Sequence, residues 1–217
     1  MLNRIKIAVV DDHHLFRQGL VSLLKDEKEL SVIIEASNGE ELMELLERKT
    51  PDVVLLDIEM PVMNGIEATT LIRKNYPDVK IVILTMHDEE GIIVKMIEKG
   101  ANGFLLKGTD IEKLTEAIHS VIETGYYFND NVSQAMLRDL VNDNKIEIGF
   151  DSVALNKTER DVIKLVCKEL TNKEIGDQLD LSVRTIDRHK AAILRKIGAR
   201  NTAGLVLYAV KHKLNSN

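Results

Sequence analysis

One cysteine in 217 residues excludes a disulfide within the chain. That residue, Cys167, lies in VIKLVCKEL, where the apolar spacing is that of an amphipathic helix and a thiol packs as a small hydrophobe. Long apolar runs are missing as well, since none nears the roughly 20 residues that a membrane-spanning helix needs. The N-terminal MLNRIKIAVV lacks the charged, apolar and small-residue layout of a secretory signal. A cytoplasmic protein with no membrane partner is expected. Internal repeats and low-complexity tracts are absent too, and 44% hydrophobic with 29% charged residues is the balance of ordinary globular domains.

The net charge of -6 hides an asymmetry. From Ser152 onward 13 Lys and Arg face 7 Asp and Glu, a net +6, whereas residues 1–151 carry 16 against 28, a net -12. An acidic front and a basic rear suggest two domains with different partners, nucleic acid among those of the second.

Five short apolar segments recur in the front half: KIAVV (6–10), SVIIEA (31–36), DVVLLD (52–57), KIVILT (80–85) and NGFLLK (102–107). Between them apolar residues return at helical spacing, as at Leu42, Leu45 and Leu46 or Ile92, Ile93, Met96 and Ile97. Strands alternating with helices predict a parallel sheet covered on both faces. Five such units in about 125 residues fit an open, doubly wound α/β sheet rather than a closed barrel. Asn38 with Glu41, and Asp110, mark helix starts. From Gly125 the pattern gives way to polar, Asn/Asp-rich sequence around NVSQAMLRDLV, after which only helical spacing remains. Asn156 with Glu159 and Thr171 with Glu174 have the form of capping boxes; Ser182 suits an N-cap, and a last helix begins near Asn201 or Thr202. The expected division is an α/β domain over 1–125, a linker with a short helix over 126–151, and a small all-α domain over 152–217.

An open parallel sheet binds ligands beyond the carboxyl ends of its strands. Those ends carry Asp11 and Asp12, Asp57, Thr85 and Lys107. A lone Asp after a strand is more often a turn former or cap, but that explanation does not require all of these groups at one edge. Three carboxylates in close quarters repel, and a hard divalent ion such as Mg2+ holds them ionised. A carboxylate beside the ion can attack a phosphoryl donor, with the hydroxyl and the ammonium placed for the new oxygens. His13 and His14 point apart at a helix start and lack a zinc-binding pattern, so no metal role is expected of them.

In the rear domain the spacing predicts a helix-turn-helix whose second helix starts at Ser182. Ile186, Ile193 and Ile197 share one side of that helix, while Arg184, Arg188, Ala191 and Arg195 share the other. A small residue among three guanidinium groups suits close approach to a groove and its phosphates. Lys190 falls near the buried stripe, from which its ammonium is expected to snorkel.

VVDDHHLFRQGL and LLDIEMPVMNGIEAT resemble the receiver domain of two-component response regulators, a resemblance that covers nearly all of residues 4–124. TNKEIGDQLDLSVRTIDRHKAAILRKIGARNTAGLVLYA resembles the LuxR-type helix-turn-helix of the NarL/FixJ class, over about residues 153–213. The resemblance implies a flavodoxin-like five-stranded receiver in which a partner sensor histidine kinase phosphorylates Asp57. Asp11 or Asp12, with Asp57 and the backbone carbonyl of Glu59, would hold Mg2+. Thr85 would follow the phosphoryl group, Lys107 would pair with it, and Phe104 would swing with the switch. In the rear domain the resemblance assigns Asn172, Lys173 and Arg184 to phosphates and Asp187 and Arg188 to base edges of double-stranded DNA. A homodimer on phosphorylation and RNA polymerase as a further partner are expected, as is a self-phosphorylating and self-dephosphorylating switch rather than a turnover enzyme. Many receivers have proline after the lysine; here Gly108 stands there, so a cis peptide is not required. Two rivals are an aspartyl phosphohydrolase, which has no need of the basic helices, and a DNA-binding protein indifferent to phosphorylation, against which the intact acidic cluster argues.

Overall fold

A computed structural model describes residues 4–86, 90–129, 132–133, 155–212 and 214. Five strands, β1 (Ile5–Val10), β2 (Leu30–Ala36), β3 (Val53–Leu56), β4 (Lys80–Thr85) and β5 (Gly103–Leu106), form one sheet in the order β2-β1-β3-β4-β5. Every pairing is parallel. The chain steps from β1 out to β2 and then back across β1 to β3, so the order reverses between β1 and β3. Residues after those two strands therefore face an open crevice, the place where such sheets bind ligands.

Side chains alternate between the faces of each strand, and both faces are apolar. Ile7, Val9, Val53, Leu55, Val82 and Leu105 pack under α1 (His14–Asp26) and α5 (Ile111–Glu123). Ala8, Val10, Val54, Leu56, Ile81 and Ile83 pack under α2 (Gly39–Leu46), α3 (Gly65–Asn75) and α4 (Glu90–Lys99). Each Val, Leu or Ile among them fully removed from water contributes about 1.5–3 kcal/mol, so the strand ends sit on a rigid support. Asn38 caps α2 through Glu41 as its spacing predicts. Asp110 stands at the start of α5 but makes no side-chain cap bond; the position was legible and the bond was not.

Four further helices, α6 (Lys157–Val166), α7 (Asn172–Leu179), α8 (Val183–Ile197) and α9 (Thr202–Lys211), form the rear domain. Both expected capping boxes are present, Asn156 with Glu159 and Thr171 with Glu174. Ser182 caps α8 and Asn201 caps α9. Ile186, Ile193 and Ile197 are buried with Val162, Ile163, Ile175 and Leu205, so the apolar stripe read on the wheel is the core side. Cys167 ends α6 half-buried, and burial pushes its thiol up to about 11. The helix expected in NVSQAMLRDLV lies outside the described residues except for Val132 and Ser133, as does the boundary at 151–152.

Candidate functional site

Asp57 leaves β3 with its amide donating to the Val10 carbonyl (2.9 Å), while the Asp11 amide donates to Ala36 O (3.1 Å). These bonds carry the sheet ladder one residue past β1 and β3 and aim both carboxylates into the crevice. Lys107, after β5, reaches across β4 to join them: its Nζ lies 2.7 Å from Asp57 Oδ2 and 2.8 Å from Asp11 Oδ2. All three side chains are nearly inaccessible to solvent, at 3–5%. The Lys107 ammonium also lies over the Phe16 ring, 5.1 Å from its centroid.

Burial pushes the Asp57 carboxyl above its ordinary range, and the charge of Asp11 adds to this against the pull of Lys107. Burial also works against the Lys107 charge, but the bonds to Asp11 and Asp57 outweigh it and hold the ammonium above its usual value. The two directions are compatible, because one ammonium shared by two buried carboxylates stays charged without compensating either of them fully. The cluster is therefore short of positive charge. Asp12 stands at its rim with a third of its side chain exposed, and His13 Nδ1 is 2.9 Å from Asp12 Oδ1. Ligand atoms of Asp11, Asp12, His13 and Asp57 lie within 4.8 Å of one another. The three carboxylates fit a hard divalent cation, in donor type and in their deficit of positive charge.

Thr85 is buried at the end of β4, and the Lys107 amide donates to its carbonyl at 2.8 Å. Phe104 is 2% exposed in mid-β5, beside Ile83 of β4. The Lys107–Gly108 peptide is trans. Glu59 occupies the loop after Asp57, where the Asp57 Oδ1 takes the Ile58 amide at 2.8 Å. Two supports of this loop were missed in the sequence. Asn64 and Glu67 form a capping box that starts α3, and the S/T/N-x-x-E spacing in MNGIE could have revealed it. Gly65 is the other: a Cβ there would lie 2.2 Å from the Asp57 carbonyl oxygen. No side chain fits where α3 starts against the site.

In the rear domain α7 and α8 make the helix-turn-helix. The turn is tight because Gly176 meets Leu181 O, which a Cβ would approach to 2.5 Å, and Asp180 adopts φ 55° as the C-cap of α7. Arg184, Asp187, Arg188, Ala191 and Arg195 are all exposed on α8, and Lys173 is exposed on α7. Asn172 is occupied within the domain: its Nδ2 donates to Asp187 Oδ1 (2.5 Å) and its Oδ1 accepts from Lys190 Nζ (3.0 Å). Lys190 does not snorkel free. Its ammonium is half-buried against Asn172, and burial together with the nearby Lys80 draws it down to about 8.

A response regulator receiver domain model matches residues 7–119, and the model of bacterial regulatory proteins of the luxR family matches residues 153–209. The chain is a response regulator of the NarL/FixJ class. It is 35% identical to the transcriptional regulatory protein DegU of Brevibacillus brevis over 97% of this chain and 94% of that one. To the oxygen regulatory protein NreC of Staphylococcus epidermidis it is 33% identical, over 97% and 99%. A crystal structure of a LuxR-family two-component response regulator from Aurantimonas matches with a TM-score of 0.59 and 32% identity, over 64% of this chain and 99% of that chain. The rear domain is thus a LuxR-type DNA-binding domain behind a receiver, and no helix among the described residues is long and apolar enough to cross a membrane.

The DNA-binding domain docks on this response regulator's receiver at the C-terminal end of α4. Asn201 Nδ2 donates to the carbonyls of Gly100 (2.6 Å) and Ala101 (2.9 Å), and Arg200 Nη1 to Lys99 O (3.1 Å). Tyr126 Oη donates to Val166 O (3.0 Å). The Gly100 carbonyl is shared with Arg73, whose Nε donates to it at 2.7 Å while the rest of the guanidinium holds Pro77 O, Val79 O and Asn102 Oδ1. Lys80, at the start of β4, lies close enough for the Asp187 charge to act on it, so the receiver stands beside α8.

Proposed function

We propose that this response regulator binds double-stranded DNA under the control of a phosphoryl group placed on Asp57 by a sensor histidine kinase. The observation that carries the reading is the Lys107 ammonium within 2.8 Å of both Asp57 and Asp11 at the strand-order reversal. An Asp57 oxygen forms the bond to phosphorus as the phosphorus–nitrogen bond of a phosphohistidine breaks, and the freed imidazole takes a proton. Lys107 is positioned for an oxygen of the arriving group, and Thr85 stands at the neighbouring strand end. Asp11 or Asp12, with Asp57 and the Glu59 carbonyl, would hold Mg2+, which would supply neutralisation of the phosphoryl oxygens. Water ends the signal by hydrolysing the acyl phosphate, so the receiver is a switch with self-phosphorylation and self-dephosphorylation only. An apolar hollow of about 220 Å³ beside Lys107, lined by Leu15, Phe16, Leu20 and Leu23, supports a protein partner docking there. Leu15 is 84% exposed at its rim.

Phosphorylation draws Thr85 and Phe104 toward the site, loosens α4 and frees the DNA-binding domain to pair as a homodimer on DNA, in reach of RNA polymerase. Arg184, Arg188 and Arg195 then meet phosphates and the groove, with Lys173 and Asn172 beside them and Ala191 allowing close approach. Borohydride reduction after exposure to acetyl phosphate and Mg2+ tests the assignment. Reduction of an acyl phosphate should convert residue 57 alone to homoserine, and modification elsewhere would refute it.

A further inference from the structure

The carboxylates of the acidic pocket offer oxygen only, which suits Mg2+. His13 adds a nitrogen. Its Nδ1 lies 2.9 Å from Asp12 Oδ1 and 3.3 Å from Asp11 Oδ1, and the backbone amide of the same residue donates to Asp11 Oδ1 at 2.8 Å. Neighbouring ligands about 2.1–2.3 Å from one ion, at right angles, stand about 3.0–3.3 Å apart. The two contacts of His13 Nδ1 thus have nearly the length of two adjoining edges of an octahedron. The His13 side chain is 66% exposed, so its ring is free to complete the turn toward an ion.

We propose that His13 is a metal ligand and that it makes the acidic pocket take a first-row transition ion in preference to Mg2+. The inference rests on the reading of that pocket as a divalent-cation site. Imidazole is a good ligand for later first-row ions and a poor one for Mg2+, which keeps oxygen and water around it. One nitrogen among the carboxylates therefore separates the two classes of ion without closing the site to either. Adjacent His14 does not share the arrangement, since it begins α1 and Nδ1 contacts to the carboxylates come from His13.

Calorimetric titration of the full chain with Co2+ and with Mg2+ tests this, together with pulsed paramagnetic resonance of bound Mn2+. His13→Ala should lose about tenfold or more in Co2+ affinity while Mg2+ affinity stays within about twofold. A directly bound nitrogen should couple to Mn2+ in the parent chain and vanish in the variant. The competing role is an Nδ1–H that only orients Asp12, a role that would strengthen every ion alike. His13→Gln keeps such a donor and is a poor ligand, so recovery of Co2+ affinity in that variant, equal losses for Co2+ and Mg2+, or no nitrogen coupling would each overturn the proposal. Asp57→Asn separates the two levels. If that variant binds both ions as tightly as the parent, the pocket is not the cation site and the underlying reading fails too; if only the histidine variants behave like the parent, the histidine assignment alone fails.

Discussion

Asn201→Ser removes the two hydrogen bonds that Asn201 Nδ2 gives to Gly100 and Ala101 while leaving a serine able to cap α9. Each net hydrogen bond is worth about 1 kcal/mol, so docking should weaken by about 2 kcal/mol, or about 30-fold in the ratio of docked to free domains. The effect should stay in the docking equilibrium, because Gly100 O keeps its bond from Arg73 at 2.7 Å and the helix keeps a cap. Small-angle scattering should show a larger radius of gyration for the unphosphorylated variant. Its DNA affinity should rise toward that of the isolated rear segment, with little change in the melting temperature of either domain. Unchanged scattering together with unchanged DNA affinity would refute the view that this contact restrains the domain.

Three further outcomes follow from the same geometry. A carboxyl raised above its unfolded value contributes stability that is present below that value and lost as pH rises through the raised one; burial raises Asp57, so Asp57→Asn should melt higher than the metal-free parent at neutral pH, by a gap that closes toward pH of about 4. Gly65→Ala should cost about 1–3 kcal/mol by overpacking, because its Cβ would press on the Asp57 carbonyl, and denaturant melts and the rate of phosphoryl uptake should both report it. Lys190 is drawn down to about 8 by burial with a contribution from Lys80 of the receiver, so docking should strengthen modestly as pH rises above about 8, and Lys80→Met should flatten that dependence in scattering measured across the range.

Much of this was legible because it is written in local patterns. The five apolar segments found their strands to within a residue or two, since a strand buried on both faces leaves a near-continuous apolar run. Asp57, Asp11 and Lys107 could be brought together from sequence because a parallel sheet sends all its strand ends to one edge. What the pattern could not hold were contacts between distant segments. Lys190 looked misplaced on the wheel of its own helix, and its actual partner, Asn172, lies on the preceding one. Gly65 signals a tight approach only once the Asp57 carbonyl is seen beneath it. The docking of Asn201 on α4 spans a hundred residues and leaves no periodicity to read.

The central claim is that a phosphoryl group on Asp57 governs DNA binding. Its most direct test is the affinity of the full chain for its selected duplex, at fixed salt, before and after acetyl phosphate with Mg2+, in parallel with Asp57→Asn. The parent should bind more tightly after treatment and sediment as a dimer, while the variant should show neither change. An equal gain in both proteins, or no gain in a parent shown to carry the phosphoryl group, would contradict the account.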